Sequence, residues 1–431
     1  MTTICAPATA QGGALSIIRV SGDNAISAVD TIFKGKSKLI DAEPYTVHFG
    51  QIIDSDSNII DEVLVTVFHA PHSYTGEDSV EISCHGSSYI SNRVCSLLMK
   101  SDCQFAQPGE FTQRAFLNGK MDLSQAEAVA DLIASNSQAS HRIAMNQMRG
   151  GISNQLMQLR KQLLHLTSLL ELELDFSDHE ELEFVDRKSL LELADKIEKE
   201  ISRLSSSFSR GNAIKNGIPV AIIGAPNVGK STLLNALLHE DRAIVSDIQG
   251  TTRDIIEDTI TLNGFLFRFI DTAGIRHTED TIEKMGIERS LKAADKAQII
   301  IMMREPGIDF PKYIPKENQQ IIEVINKTEA FQALDGRGLD WLESELSEIA
   351  SSLLHADESN SVLITNLRHK EALDLSLADI QRTINALSNN IPADLIAEDL
   401  RQCLSHLAEI LGEITCNEVL SSIFKSFCIG K

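Results

Sequence analysis

The residues from Gly217 to Thr232 carry the clearest chemical pattern in this chain. They read Gly-Ile-Pro-Val-Ala-Ile-Ile-Gly-Ala-Pro-Asn-Val-Gly-Lys-Ser-Thr, which is an apolar strand, a glycine loop and the start of a helix. Inside them lies Gly224-x-x-x-x-Gly229-Lys230-Ser231, the phosphate-binding loop (P-loop) pattern. Glycines let backbone N–H groups surround a phosphate, the ammonium reaches the β- and γ-phosphates, and the hydroxyl can bind Mg²⁺. The pattern therefore predicts a nucleoside triphosphate site.

Three later motifs fit the same site. Gly250-Thr-Thr-Arg-Asp254 precedes an apolar strand, and one of its threonines can complete the coordination of Mg²⁺. Asp271-Thr-Ala-Gly274 follows the next strand; its carboxylate can hold the magnesium shell and its glycine N–H can touch the γ-phosphate. Asn326-Lys-Thr-Glu329 resembles Asn-Lys-x-Asp, which reads guanine. The order and spacing of the motifs predict a GTPase rather than a general ATPase.

Two departures from the usual GTPase pattern bear on mechanism. Ile275 stands where some GTPases place a glutamine that orients water, so another group must do so. Glu329 replaces the guanine-reading aspartate and adds one methylene. Ala333–Gly338 resembles a remnant of the fifth GTPase motif and follows almost immediately. Whether guanine selectivity is retained is left open by these residues.

Length and composition limit the class of protein. A chain of 431 residues predicts two to four domains. Its net charge of −22 excludes an indiscriminate nucleic-acid binder, so an RNA substrate would need a local basic patch or a basic partner protein. Seven cysteines without a Cys-x-x-Cys pair indicate free thiols in a reducing cytoplasm and no structural zinc. No signal-peptide pattern or membrane-spanning apolar run is present, which predicts a cytoplasmic protein without membrane association.

Periodicity divides the chain. Residues 1–118 combine strand patterns at Leu15–Val20, Val63–Phe68 and Val80–Cys84 with a helix at Ser88–Met99. Helical spacing begins near residue 119 and continues past a leucine stripe, although Asp175–Glu183 predicts a solvated connector. The stripe comprises Leu156, Leu159, Leu163, Leu166 and Leu170. A further helix is predicted over Leu190–Phe208, and the serine-rich Ser205–Gly211 segment predicts a linker at its end.

Residues 217–354 alternate apolar strands with amphipathic helices, which is typical of a parallel α/β sheet. The candidate strands are 219–224, 259–262, 265–270, 297–303 and 321–325. Residues 366–425 are helical again, so an α/β domain inserted into a discontinuous helical domain is the economical interpretation. The predicted fold is multidomain, α/β and α, with an α+β N-terminal domain and a mostly parallel sheet in the inserted part. The predicted boundaries are 1–118, 119–212, 213–355 and 356–431.

Several longer stretches resemble the MnmE (TrmE) family of tRNA-modification GTPases. They are Ile17–Gly22, Ser73–Asp78, Gly109–Leu123, Gly250–Asp254 and the terminal Phe427-Cys-Ile-Gly-Lys431. The resemblance runs nearly end to end. It implies an N-terminal folate-binding domain that forms a homodimer, a helical domain and a Ras-like G domain. It also implies a flavin-dependent MnmG-like partner in a heterotetramer, with FAD held only by that partner. Together they install a carboxymethylaminomethyl group at C5 of the wobble uridine of certain tRNAs.

The resemblance also assigns residues around the nucleotide. It implies a K⁺ ion held by Asn227, Ser246, Ile248 and Thr251, and Mg²⁺ held by Ser231 and Thr252. Glu283 matches the acid that orients water through a bridging water, and it joins Lys230 as a catalytic residue. The GTP-binding residues implied are Asn227, Val228, Gly229, Lys230, Ser231, Thr232, Ser246, Asp247, Ile248, Gln249, Gly250, Thr251, Thr252, Asp271, Thr272, Ala273, Gly274, Asn326, Lys327 and Glu329.

A second implied site binds 5-formyltetrahydrofolate or a related tetrahydrofolate. The resemblance assigns Arg19, Glu81, Lys120 and Lys431 to it, since a carboxylate can pair with the pterin N–H edge and cations suit the glutamate tail. Cys428 is a possible reactive thiol, although a plain free thiol is the simpler interpretation. Cys84 and His85 are adjacent in a strand and point to opposite faces, which argues against a shared metal ion.

Three alternatives remain beside this interpretation. One is a GTP-dependent switch in RNA or ribosome assembly, although the acidic chain lacks a basic appendage. Another is a folate-dependent one-carbon transferase with a regulatory G domain. The third follows from Glu329 and holds that guanine selectivity has been lost.

Overall fold

The structure, a computed structural model, describes residues 2–10, 12–175, 187–240, 258–270, 292–307, 313–316, 319–354, 362–389, 391–414, 417–425, 427 and 429–430. The chain forms two compact units. Unit one comprises Met1–Ala130, Met148–Ser153 and Leu407–Lys431, and unit two comprises Asp131–Gln147 and Asn154–His406.

Unit one is built on a seven-stranded sheet with the order β3-β4-β5-β6-β2-β1-β7. All neighbours are antiparallel except β1 and β7. The strands are β1 (Ile4–Pro7), β2 (Leu15–Ser21), β3 (Phe33–Gly35), β4 (Thr46–Ile53), β5 (Ile59–Phe68), β6 (Ser79–His85) and β7 (Gln104–Phe105). The helices α1 (Ala25–Asp30), α2 (Ser88–Lys100) and α3 (Glu110–Leu117) accompany the sheet. The three strands and the helix expected over 15–99 are confirmed.

Alternation along β4 and β5 gives this part of the sheet one buried and one exposed face, whereas β1 is buried on both sides. Ile18, Val65 and Ile82 are fully buried in a core that includes residues of α1 and α2. On β5, Glu62 and Leu64 alternate with buried valines and are exposed, as the period of two along a strand requires. A separate small core joins the C-terminal residues to this unit. In it, Phe424 and Phe427 lie with Leu123 and Ala126.

Helices dominate the first and last parts of unit two and continue beyond its limits. They are α4 (Leu123–Ala134), α5 (Gln138–Met148), α6 (Gly151–Asp175), α7 (Arg187–Ser206), α8 (Phe208–Asn216), α11 (Leu367–Ser388) and α12 (Ala393–Leu411); α13 (Asn417–Lys425) lies in unit one. The stripe from Leu156 to Leu170 is buried, as its spacing predicts. None of the helices in the described ranges is long and apolar enough to cross a membrane.

The α/β part of unit two holds a five-stranded sheet with the order β12-β11-β8-β10-β9. Its strands are β8 (Ile218–Gly224), β9 (Asp258–Leu262), β10 (Phe265–Phe269), β11 (Ile299–Arg304) and β12 (Gln320–Ile325), which confirms the five expected strands. Only the β9–β10 pair is antiparallel. The helices α9 (Lys230–Glu240) and α10 (Leu339–Leu354) bury leucines against one face. The sheet is therefore mostly parallel, as expected.

The linker expected over Ser205–Gly211 is wrong. Helix α7 ends at Ser206, and α8 begins only two residues later, at Phe208. The Ser207 hydroxyl accepts a hydrogen bond from the Ile364 N–H at 3.0 Å. A Cβ added at Gly211 would lie 2.1 Å from the Ile364 carbonyl oxygen. The small residues here serve close packing against a distant segment, although their composition alone resembles that of a flexible linker. The Asp175–Glu183 connector falls largely on residues 176–186, outside the described part of the chain.

Candidate nucleotide site

The P-loop lies at the carboxyl end of a fully buried central strand. Every residue of β8 is buried, and helix α9 begins at Lys230 directly after the loop. Asn227 has φ +60° and Gly229 has φ +99°, so the loop turns through backbone conformations that favour residues without a bulky side chain. Ligands of open parallel α/β sheets bind at this carboxyl edge. The sequence motif and the topology therefore point to the same place.

Lys230 folds back over the loop. Its Nζ donates to the carbonyl oxygens of Gly224 at 2.9 Å and Ala225 at 2.8 Å. Burial lowers the pKa of the Lys230 ammonium, since desolvation disfavours the charged form. An ammonium that is partly desolvated and bonded to two neutral carbonyls is suited to exchange them for a phosphate.

Asn326, the first residue of the Asn326–Glu329 motif, holds the P-loop in place. The residue is only 4% exposed. Its Nδ2 donates to the Val228 carbonyl at 2.8 Å, and its Oδ1 accepts from the Ala333 N–H at 3.0 Å. A Cβ on Gly229 would lie 2.4 Å from the same Nδ2. The amide thus ties the P-loop to the remnant of the fifth motif, a structural use that the sequence did not reveal.

The residues after Asn326 form a tight turn. The Thr328 hydroxyl accepts from the Phe331 N–H at 3.1 Å and donates to the Ile325 carbonyl at 3.2 Å. Lys327 Nζ lies 2.9 Å from the Glu305 carboxylate. Glu329 is exposed on this turn. The structure therefore brings Asn227–Thr232 and Asn326–Glu329 to one edge of the sheet.

The remaining nucleotide-site predictions lie outside the described residues. They are Ser246, Asp247, Ile248, Gln249, Gly250, Thr251, Thr252, Asp271, Thr272, Ala273, Gly274 and Glu283, and Ile275 lies there with them. Strand β10 is parallel to β8 and ends at Phe269, two residues before Asp271, where the motif Asp271–Gly274 begins.

The expected folate residues that the structure describes have different partners. Arg19 and Glu81 face each other across β2 and β6, with Arg19 Nη2 2.8 Å from Glu81 Oε1. The Arg19 guanidinium also lies 5.3 Å from the Tyr74 ring centre and donates to the Gly430 carbonyl at 3.2 Å. Lys120 Nζ instead donates to the Pro71 carbonyl at 2.9 Å. Lys431 and Cys428 are outside the described residues.

A buried polar network close to these residues was missed at the level of sequence. Arg114 donates to both oxygens of Glu77, at 3.3 and 3.2 Å, and Ser21 donates to Glu77 at 2.8 Å. Arg114 and Glu77 are 5% and 8% exposed. Both residues lie in stretches that carry the family resemblance, Ser73–Asp78 and Gly109–Leu123, and this was the signal in the sequence that could have pointed to them. Glu77 and its neighbours also line a cavity of about 500 Å³ whose lining does not include Arg19, Glu81 or Lys120.

Cys84 and His85 lie on opposite sides of β6, as adjacent strand residues are expected to do. Cys84 is buried, and its thiol donates to the Ser16 carbonyl, whereas His85 is exposed and bonds Asp61 at 2.7 Å. Within the described part of the chain, no group of three or more His, Cys, Asp or Glu residues could hold a metal ion.

A phosphate-binding loop at the carboxyl edge of a mostly parallel sheet, braced by the asparagine of a second motif, defines a P-loop nucleotide-binding protein. The family model described as "GTP-binding protein TrmE N-terminus" matches residues 3–120, and that described as "MnmE helical domain" matches residues 123–428. The chain belongs to the MnmE family of tRNA modification GTPases.

Individual relatives agree with this assignment. The tRNA modification GTPase MnmE of Parabacteroides distasonis is 53% identical, with 100% of both chains covered. That of Bacteroides fragilis is 53% identical over 100% of this chain and 99% of the relative, and that of Flavobacterium johnsoniae is 46% identical with the same coverage. The Parabacteroides alignment has 464 positions, 33 more than the 431 residues of this chain. The relative therefore carries residues that have no counterpart in this chain.

Among solved structures, the chain is similar to a single-residue variant of Era from Aquifex aeolicus bound to GDP·AlF4⁻. The identity is 25% and the TM-score is 0.22, over 37% of this chain and 65% of that chain.

Proposed function

We propose that this protein hydrolyses GTP and acts with a flavin-dependent, MnmG-like partner. Together they install a carboxymethylaminomethyl group at C5 of the wobble uridine of certain tRNAs. The observation that carries the proposal is the P-loop geometry in a chain that belongs to the MnmE family. Lys230 Nζ donates there to two backbone carbonyls that a phosphate can replace, and Asn326 Nδ2 donates to the Val228 carbonyl. The four-part division at residues 118, 212 and 355 belongs to this proposal, with the G domain inserted between two helical segments.

The nucleotide is proposed to bind between the P-loop and the Asn326–Glu329 turn. Backbone N–H groups at the start of α9 and the Lys230 ammonium receive the phosphates. The Glu329 carboxylate accepts hydrogen bonds from the guanine N1–H and N2–H₂ edge. The residues 246–252 and 271–274 complete the site in this proposal, with Glu283 orienting the attacking water.

The donor set of the P-loop suits the two proposed cations. The Ser231 hydroxyl stands in the first turn of α9, the position from which a P-loop hydroxyl binds Mg²⁺, and Thr252 would supply a second oxygen. Asn227 places an amide side chain in the loop itself, where its oxygen could hold K⁺ with Ser246, Ile248 and Thr251. Such a cation would supply positive charge where charge develops between the phosphates.

The Arg19–Glu81 pair suits a tetrahydrofolate derivative. A carboxylate can accept from the pterin N–H edge, and a guanidinium can pair with the glutamate tail of the folate. Arg19 also lies over two aromatic rings, 5.3 Å from the centre of Tyr74 and 5.7 Å from that of Phe111. This partly buried pair beside aromatic surface supports the proposed site. Lys120 and Lys431 are proposed to add positive charge.

A homodimer is proposed through the open face of the sheet of unit one. Val47, Phe49 and Leu64 on β4 and β5 are 58%, 64% and 48% exposed, and Phe49 pairs directly with Leu64. Neighbouring exposed apolar side chains on one sheet face are typical of an association surface.

Mass spectrometry of wobble nucleosides tests the proposed function. Cells that lack the gene are expected to lose the C5-modified uridine, and a wild-type copy is expected to restore it. A nucleoside profile that is identical with and without the gene would refute the function. Measuring GTP turnover in K⁺ and in Na⁺ tests the cation separately, and equal slow rates in both salts would contradict the K⁺ assignment.

A further inference from the structure

Acidic residues are distributed very unevenly along this acidic chain. The two longest stretches without Asp or Glu are residues 132–170 and 201–239. Each carries four Lys or Arg residues, against a net charge of −22 for the whole chain. The second stretch contains the P-loop, where negative side chains would repel the phosphates of a nucleotide. The first stretch forms most of α5 and α6, and neither the nucleotide site nor the folate site accounts for it.

Helix α6 presents a long exposed face without a carboxylate. Positions 154, 158, 161, 165 and 168 are all exposed and follow helical spacing, so they share one face. They are Asn154, Gln158, Lys161, His165 and Ser168. The first acidic residue beyond them is Glu171, which already pairs with Arg401 at 3.2 Å.

Helix α7 in the same unit provides the contrast. Its exposed or half-exposed residues mix acids and bases within a few turns: Glu192, Asp195, Lys196, Glu198, Lys199 and Glu200. This mixture is the usual composition of a solvated helix face. The absence of acids from residues 151–170 of α6 is therefore not a general property of the helices in this unit.

Two exposed cations stand in the acid-free stretch 132–170. Lys161 on α6 and Arg142 on α5 are exposed. Within the described ranges, neither forms an ion pair, whereas Lys215 pairs with Asp131 at 2.7 Å and Arg203 with Glu200 at 2.6 Å. Amide and hydroxyl groups such as those of Gln158 and Ser168 are also common donors to phosphate oxygens.

We propose that the exposed faces of α5 and α6, with Arg142 and Lys161 as their cations, bind the phosphate backbone of RNA. This inference rests on the proposed function, which requires the protein to engage tRNA. A chain this acidic repels a polyanion except where acids are excluded, and α5 together with residues 151–170 of α6 provides that exclusion. Lys161 and Arg142 contact phosphates and therefore contribute affinity rather than base specificity. This surface takes no part in the chemical steps, which the proposed function assigns to the nucleotide site, the folate site and the flavin-dependent partner.

The test measures the salt dependence of binding to an in vitro transcript of a tRNA with uridine at the wobble position. Removing one cation that neutralises a phosphate makes the slope of log K against log salt shallower by about 0.7–0.9. Arg142→Glu and Lys161→Glu are each expected to do this and to weaken binding by roughly five- to tenfold at ~0.1 M salt. The double variant is expected to show about twice the change in slope. Lys196→Glu on α7 is the matched control, because it reverses another exposed helical lysine, one that stands among acids.

Each outcome decides the inference. Shallower slopes in the α5 and α6 variants, with a wild-type slope in Lys196→Glu and wild-type GTP turnover in all, support the surface. Unchanged slopes, or an equal effect of Lys196→Glu, overturn it. Unchanged tRNA binding with loss of co-purifying flavoprotein also overturns it, since the surface then serves a protein. If the wild type binds no transcript although the wobble nucleoside depends on the gene, the surface is wrong and the proposed function stands.

Discussion

Replacing Gly229 by alanine tests whether the P-loop and the Asn326 brace act as one unit. The residue has φ +99°, where an L side chain is strained, and such strain costs about 1–3 kcal/mol. The new methyl group would also lie 2.4 Å from Asn326 Nδ2, so the amide must move. Its displacement threatens the bonds to Val228 and Ala333, and each buried partner left unsatisfied costs about 1–3 kcal/mol.

These effects raise the free energy of the loop conformation that receives phosphates. Partial relaxation reduces the sum, and about 2–4 kcal/mol is expected to remain. At about 1.4 kcal/mol per factor of ten, the affinity for GDP is expected to fall roughly 30- to 700-fold. Titration of a fluorescent GDP analogue measures this fall directly, and competition with unlabelled GDP removes any contribution of the fluorophore.

Gly264→Ala is the matched control for backbone strain. Gly264 lies in the Asn263-Gly264 turn between β9 and β10, has φ +84°, and has no heavy atom within 4 Å of an added Cβ. This variant is expected to lower stability through strain and to bind GDP like the wild type. Wild-type affinity in Gly229→Ala, or an equal loss in Gly264→Ala, would refute the reasoning that the Gly229–Asn326 contact shapes the site.

The remaining predictions concern three charged residues, Lys230, Glu77 and Glu329. Lys230→Met is expected to abolish the rise in unfolding temperature that GDP produces, while the ligand-free protein stays close to wild-type stability. Because burial lowers the pKa of Lys230, the folded protein releases its proton before the unfolded chain does. As the pH increases from the folded-state pKa of Lys230 to its unfolded-state pKa, the free energy of unfolding of the wild type should therefore rise relative to that of Lys230→Met. Denaturant titrations at several alkaline pH values measure this difference, and a difference that does not change with pH would contradict the prediction. Glu77→Gln removes one of the two carboxylates that pair with the buried Arg114 guanidinium, while Glu110 stays 2.9 Å away, and it is expected to destabilise unit one by about 1–3 kcal/mol in urea unfolding. The double variant with Arg114→Met should recover part of that loss, and an additive loss would argue against the pair. Glu329→Asp is expected to raise the preference for GDP over ADP by about two- to fivefold, since a shorter side chain loses less entropy on ordering. Competition titrations measure this preference, and an unchanged ratio would exclude Glu329 from base recognition.

The strands, most helices and the identity of the nucleotide site were predictable from local sequence. Strand alternation and leucine spacing depend on residues a few positions apart, and the P-loop works through backbone groups whose glycines are visible in the sequence. The five strands of the mostly parallel sheet and the buried stripe from Leu156 to Leu170 follow for this reason. The family followed in the same way from stretches of residues that stand together in the chain.

Tertiary structure decided what depends on residues distant in sequence. Ser207 and Gly211 resemble a linker until Ile364 is placed against them. Asn326 was expected to read a nucleotide, and only its position beside Val228 shows that its amide also holds the loop in shape. Composition and spacing describe which groups a segment offers, whereas the partner of a buried polar group is chosen by the packing of the whole chain.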